Sequence, residues 1–130
     1  MTGNCLCGEV KYEIDGKISP IWLCHCSKCR HQTGSAFHAS AVCRPDQFRW
    51  VSGVDSIAEY EDTPSYTVRF CKKCGSPVPS PADDRELVFL HAGGLNEDPG
   101  REIAHHIFVG SKAPWFDVLD AKAQYEEHKQ

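Results

Sequence analysis

The sequence has a single methionine, no basic excess and no long apolar run, and these shortages exclude whole classes of function. Lys plus Arg number 14 against 18 for Asp plus Glu, a net charge of −4. No positive field is available to hold nucleic acid or an anionic membrane surface. No stretch approaches the ~18 consecutive apolar residues that a membrane-spanning helix requires. Met1-Thr2-Gly3-Asn4-Cys5 lacks the basic and apolar regions of a secretory signal, so a cytoplasmic protein is expected. Also missing are a Ser-His-Asp set, a phosphate-binding loop and a flavin fingerprint.

What is present is cysteine. A chain of 130 residues predicts one domain over 1–130, and 41% hydrophobic with 25% charged residues is ordinary globular composition. Eight Cys and seven His are not ordinary. In a reducing compartment they point to metal or thiol chemistry rather than to disulfides.

Seven of the cysteines fall in three clusters: Cys5-Leu6-Cys7, Cys24-His25-Cys26-Ser27-Lys28-Cys29 and Cys71-Lys72-Lys73-Cys74. Cys43 stands alone and follows an apolar run, which predicts a buried free thiol. A disulfide between Cys-X-Cys neighbours would close a strained ring. A zinc ion wants the opposite, several thiolates converging at about 2.3 Å in a tetrahedron. In an extended segment residues i and i+2 share a face, so Cys-X-Cys presents two sulfurs together. Cys-X-X-Cys does the same around a tight turn, and Gly75 after Cys74 suits one.

Spacing leaves two divisions open. Cys5, Cys7, Cys71 and Cys74 form a closed four-ligand site, with Cys24, Cys26 and Cys29 as a three-thiolate tripod. Alternatively Cys26, Cys29, Cys71 and Cys74 form an ordinary zinc ribbon and Cys5, Cys7 and Cys24 are left over. Four protein ligands describe structural zinc; three with an exchangeable fourth position describe catalytic zinc. Cys43 or a histidine could also close the tripod.

The remainder reads as short strands with turn punctuation, an all-β pattern. Expected strands are 9–14, 21–24, 35–42, 48–52, 57–62, 66–71, 86–91 and 104–109. Asp15-Gly16, Arg44-Pro45-Asp46-Gln47, Gly93-Gly94 and Asp98-Pro99-Gly100 are the turn and loop signals. Ser27 is a candidate cap for one helical turn over 28–33, closed by Gly34. The polar tail, 123–130, reads as a frayed, solvated end.

In order along the chain, these motifs resemble the glutathione-dependent formaldehyde-activating enzyme (Gfa) family, also called the centromere protein V domain. Gly3-Asn4-Cys5-Leu6-Cys7-Gly8-Glu9-Val10 resembles its opening G-x-C-x-C-G-x-V. Cys24-His25-Cys26-Ser27-Lys28-Cys29-Arg30 resembles its C-H-C-x-x-C-R signature, with Gly34-Ser35 following. Phe70-Cys71-Lys72-Lys73-Cys74-Gly75-Ser76 resembles its F-C-x-x-C-G-S element, and 106–115 its closing segment. The resemblance implies an all-β, Mss4-like zinc fold with two zinc ions per chain. It implies structural zinc on Cys5, Cys7, Cys71 and Cys74, and catalytic-type zinc on Cys24, Cys26 and Cys29. The implied chemistry is carbon–sulfur lyase chemistry on S-hydroxymethylglutathione, the adduct of glutathione and formaldehyde. The other reading is a non-enzymatic zinc-stabilised β module that binds a partner protein.

Around the clusters, Arg30, His31, Gln32 and Thr33 are candidate contacts for the carboxylates or γ-glutamyl group of glutathione. His25 sits between two cysteines and is expected to pack or hydrogen-bond rather than ligate. His105 and His106 alternate faces, so at most one faces any site. Trp115 is expected to plug the core.

Overall fold

β-branched and aromatic residues in short runs, each stopped by glycine, proline or aspartate, leave little room for helix. A computed structural model describes residues 1–82 and 85–129, and these are mostly β-sheet with one α-helix. In chain order the strands are β1 (Thr2–Asn4), β2 (Lys11–Ile14), β3 (Ile21–Cys24) and β4 (His38–Cys43). Then come β5 (Phe48–Ser52), β6 (Ile57–Thr63), β7 (Tyr66–Cys71) and β8 (Ser80–Ala82). Last are β9 (Leu87–His91), β10 (Ile103–Ile107) and β11 (Ala123–Gln124); the helix α1 spans Ser27–Thr33. No described helix is long and apolar enough to cross a membrane.

The chain forms two compact units, one from Met1–Ser19 with Ala41–Gly100, the other from Pro20–Ser40 with Arg101–Gln130. In the first, β1, β2 and β5 make an antiparallel sheet in that order. Tyr12 on β2 is 2% exposed and packs on Phe48 and Trp50, its ring centroid 5.7 and 6.2 Å from theirs. Gly3 lies opposite Tyr12 in the register, and a Cβ there would sit 2.3 Å from the ring. That pairing requires glycine. β6 and β7 form a hairpin that brings Ile57 opposite Cys71, and β8 pairs antiparallel with β9. Cys5, Val10, Cys71 and Val78 form a buried cluster, with Trp50, Ile57 and Cys74 against it.

In the second unit β3 is central. It pairs antiparallel with β4, Cys24 facing His38, and parallel with β10, Cys24 facing Ile107. A parallel neighbour needs a long crossover, and here most of the chain separates the two strands. β10 in turn pairs parallel with β11.

Several expectations need adjustment. The run 9–14 becomes a strand only from Lys11, because Cys5 to Glu9 are committed to a turn with Gly8 at φ 79°. The N-cap of α1 is Cys26 rather than Ser27, its sulfur accepting from the Cys29 N–H. Gly34 closes the helix as expected, in the left-handed conformation and donating to the Arg30 carbonyl. β10 stops at Ile107 because Phe108 turns to φ 56°. The tail is not frayed over 123–127. The free edge of β10 captures it: Tyr125 N donates to His106 O and Phe108 N to Glu127 O, both at 3.0 Å.

Two expected outcomes follow. At Gly53 (φ 80°) an added Cβ would lie 2.1 Å from the Glu9 carbonyl oxygen, whereas at Gly100 (φ 66°) it meets nothing within 4 Å. Gly53→Ala should therefore cost about 3 kcal/mol, a left-handed alanine plus a clash with backbone, and Gly100→Ala about 1 kcal/mol. Denaturant midpoints at constant slope check the ranking. Cys43 is 4% exposed, and burial pushes its thiol up to about 11. At pH 8 only about one molecule in a thousand carries that thiolate, so iodoacetamide should spare Cys43 until the chain unfolds. Mass mapping of native labelling checks this.

Candidate metal centres

The four-sulfur cluster is built by two matching turns. After β1, Gly8 N donates to Cys5 O at 3.1 Å; after β7, Gly75 N donates to Cys71 O at 2.8 Å, with Gly75 at φ 78°. Each glycine directly follows the second cysteine of its pair and takes a left-handed conformation that closes the turn back onto the first cysteine's carbonyl. Leu6 N donates to Ser76 Oγ at 2.9 Å, tying one turn to the other. The sulfurs of Cys5, Cys7, Cys71 and Cys74 all lie within 4.8 Å of one another. Cys5 to Cys7 is 3.6 Å and Cys7 to Cys71 is 3.9 Å. Disulfide sulfurs would be about 2.05 Å apart. A tetrahedron of sulfurs with metal–sulfur bonds of about 2.3 Å has edges of about 3.8 Å. The donor set fits a zinc-type ion.

Electrostatics agree with the geometry. Hydrogen bonds from the Ser76 side chain and backbone hold the Cys74 thiol down at about 5. Against a lowering backbone bond at Glu9, desolvation and the neighbouring sulfurs push Cys7 up to about 11. One thiol ionises readily and thereby blocks the next, a conflict that a cation removes.

The three-sulfur cluster comes from one continuous strand-to-helix segment. Cys24 ends β3, Cys26 caps α1, and Cys29 lies in its first turn, with Cys29 N donating to Cys26 Sγ at 3.3 Å. The sulfurs of Cys24, Cys26 and Cys29 also lie within 4.8 Å of one another. Bonds from Cys24 and Cys29 hold the Cys26 thiol far down, while Cys26, Cys29 and burial push Cys24 far up. Among the described residues no fourth Cys, His, Asp or Glu atom joins this group. The sulfurs therefore gather as four and three; the ribbon pairing of Cys26 and Cys29 with Cys71 and Cys74 is not what the chain forms. Cys43 joins neither group.

The other expected residues are placed as follows. His25 is fully buried among Phe37, His106 and Phe116, and burial holds its imidazole below the usual range. Arg30, His31, Gln32 and Thr33 lie on α1 after the tripod. Arg30 Nε donates to Ser111 O at 3.2 Å. His31 Nδ1 and Thr33 Oγ1 donate to carbonyls of their own helix, Ser27 and Cys29. His105 stacks on Trp22 and His106 is buried, so the two do diverge. Trp115 does not plug the core; it is 72% exposed. The adjacent Phe116 takes the inward position instead, against Phe37 and His25.

Two features escaped sequence reasoning. His38 lies directly opposite Cys24 in the register and pairs with Ser40; burial pushes it down to about 4, against the opposing pull of Cys26. Asp120 bonds His106 at 2.9 Å. Neither carries a local motif: His38 meets Cys24 through the pairing of β3 with β4, and Asp120 reaches His106 by a side-chain bond from 14 residues further along the chain.

Residues 1–111 match the family model of the glutathione-dependent formaldehyde-activating enzyme. No curated protein matches the chain. Among solved structures, the crystal structure of a Rhodobacter sphaeroides protein is 23% identical with a TM-score of 0.62, covering 75% of this chain and 90% of that one. At that identity the likeness is one of fold. The family match takes in both cysteine clusters and most of the chain's length, and the chain belongs to the glutathione-dependent formaldehyde-activating enzyme family.

Proposed function

We propose that this chain is a zinc-dependent enzyme of carbon–sulfur lyase type, similar to S-hydroxymethylglutathione synthase. Its substrate is glutathione, or a comparable small thiol, with formaldehyde. The observation that carries the reading is the three-sulfur cluster itself, with no fourth protein ligand among the described residues, in a chain that also holds a complete four-sulfur cluster. Four ligands suit a structural ion and three suit an ion with an exchangeable position. Cys5, Cys7, Cys71 and Cys74 hold the first; Cys24, Cys26 and Cys29 hold the second, two zinc ions per chain.

Held by Cys24, Cys26 and Cys29, a zinc ion would supply positive charge that favours the thiolate form of a thiol at neutral pH. With three thiolates the centre carries net −1, which favours thiol positioning over water activation. In the reaction the thiolate sulfur bonds to the formaldehyde carbon, and the carbonyl π electrons move onto oxygen. The proton lost by the thiol ends on that oxygen, and the reverse sequence breaks the carbon–sulfur bond. In this reading Arg30, one residue past Cys29 and bonded through Nε to Ser111 O, pairs with a substrate carboxylate, with His31, Gln32 and Thr33 on the same helix as further contacts. The reading takes 1–130 as one zinc domain of Mss4-like fold. A small thiol is the partner, rather than nucleic acid or a membrane. The cytoplasm, where thiols stay reduced, is the compartment.

Metal analysis should give two zinc ions per chain, and Cys26→Ser and Cys71→Ser should each lose one. A single zinc in the parent chain would undo the division. Chelation should abolish the cooperative melt, because the four-sulfur site joins segments 64 residues apart. Exchange spectroscopy of glutathione with formaldehyde should show acceleration by the protein, reduced at least about 100-fold in Cys26→Ser. No acceleration, and no change in Cys26→Ser, would leave the non-enzymatic zinc-stabilised module that binds a partner protein.

A further inference from the structure

A line of buried polar groups runs from the surface to the residue between Cys24 and Cys26. Asp120 is anchored by Lys122 N, which donates to its Oδ1 at 2.9 Å. His106 Nε2 bonds the same carboxylate, at 2.9 Å to Oδ2 and 3.1 Å to Oδ1. His106 Nδ1 lies 2.9 Å from His25 Nε2. Both rings are essentially inaccessible, at 1% and 0% exposure. His25 Nδ1 has no hydrogen-bond partner among the described residues.

Direction along this line follows from donors and acceptors. The carboxylate only accepts, so His106 Nε2 carries the hydrogen. With both imidazoles neutral, His106 Nδ1 is a lone pair, and His25 Nε2 must donate to it. His25 Nδ1 is then a bare acceptor. Asp120 thus dictates the tautomer of a ring two bonds removed.

Packing alone does not call for this arrangement. His25 lies among Phe37 and Phe116, with centroids 5.6 and 5.8 Å away, where an apolar side chain would fill the space without directional demands. Nor is Asp120 needed to bury its neighbours, because Leu119 is 91% exposed. The line instead converges on one ring whose backbone is also fixed, His25 N donating to Ile107 O at 3.0 Å. That residue is covalently flanked by two of the three clustered sulfurs.

We infer that Asp120 and His106 are positioning residues for the three-sulfur site, holding His25 in one tautomer and one orientation and so fixing the segment that places Cys24 and Cys26. The inference rests on reading that cluster as a metal centre. Partners outside the ligand shell of a metal site commonly change its affinity 10- to 100-fold when removed, so about tenfold is the least effect expected.

The test uses the full chain loaded with cadmium-113 and, separately, with zinc. Two cadmium resonances are expected, and the one lost in Cys26→Ser belongs to the three-sulfur site. Asp120→Asn should displace that resonance, leave the four-sulfur resonance in place, and weaken metal binding at the three-sulfur site at least about tenfold. In long-range proton–nitrogen spectra of the zinc form, His25 and His106 should each show a single Nε2–H tautomer, and a mixture in Asp120→Asn. Asp120→Glu, which keeps the carboxylate, should restore part of the affinity. Asp117→Asn, the same charge change three residues away, should do nothing. The unmoved four-sulfur resonance reports that each variant is folded. Unchanged resonance, affinity and tautomers in Asp120→Asn would overturn the inference while the metal reading stood. A single cadmium resonance in the parent chain would instead remove the metal reading and the inference with it.

Discussion

Sulfur atoms held within 4.8 Å of one another are the constraint on which the rest of this structure depends. Such a cluster is poorly stable by itself, because the first thiolate raises the cost of every later one. The opposed behaviour of Cys74 and Cys7, and of Cys26 and Cys24, is that conflict in two places. The backbone is nonetheless arranged to enforce the crowding. Left-handed glycines at Gly8 and Gly75 turn two segments inward, and Cys26 doubles as a helix cap. Two clusters crowded in this way could each hold a soft divalent cation, which would remove the conflict between neighbouring thiolates.

The two clusters are built by different means. The four-sulfur cluster joins a turn after β1 to a turn after β7, so its formation closes a long loop of chain. A core this small gains much from such a closure. The three-sulfur cluster closes nothing: its ligands span one short segment of strand, cap and helix. Its geometry must be imposed from outside, by β4 and β10 pairing on either side of β3 and by the groups that hold His25. In the proposed function this difference matters: a centre that joins no distant segments could exchange a ligand without loosening the fold.

This difference also explains what was legible in the sequence. The cysteine clusters, the glycine turns, the α1 segment and strands such as 21–24, 48–52 and 66–71 are local patterns, and each appears where its residues predict. β1, β8 and β11 were not legible because they are short and owe their existence to a neighbouring edge. β11 is the clearest case, since Ala123 and Gln124 are both exposed and backbone pairing with β10 is what makes them a strand. Trp115 departs from expectation for a related reason: Trp115 and Phe116 are adjacent aromatics, and composition does not say which one turns inward. The Asp120–His106–His25 line needs the parallel pairing of β3 with β10, a contact that no local spacing encodes.

Charge decides how the three-sulfur centre can be used. In the proposed function a divalent ion on three thiolates would already be net negative, and glutathione would bring carboxylates in addition to its sulfur. Binding such a ligand would be opposed by simple repulsion unless cations stood nearby. The short helix answers this in its layout. Its N-terminal amide, that of Cys29, faces the Cys26 sulfur, and its last turn carries Arg30 and His31. Arg30 donates through Nε to Ser111 O, and the planar fork of a guanidinium suits a carboxylate. In the proposed reaction the segment therefore does two jobs in sequence. Its beginning stabilises thiolates, and its end offsets the charge that a thiol-bearing acid brings with it.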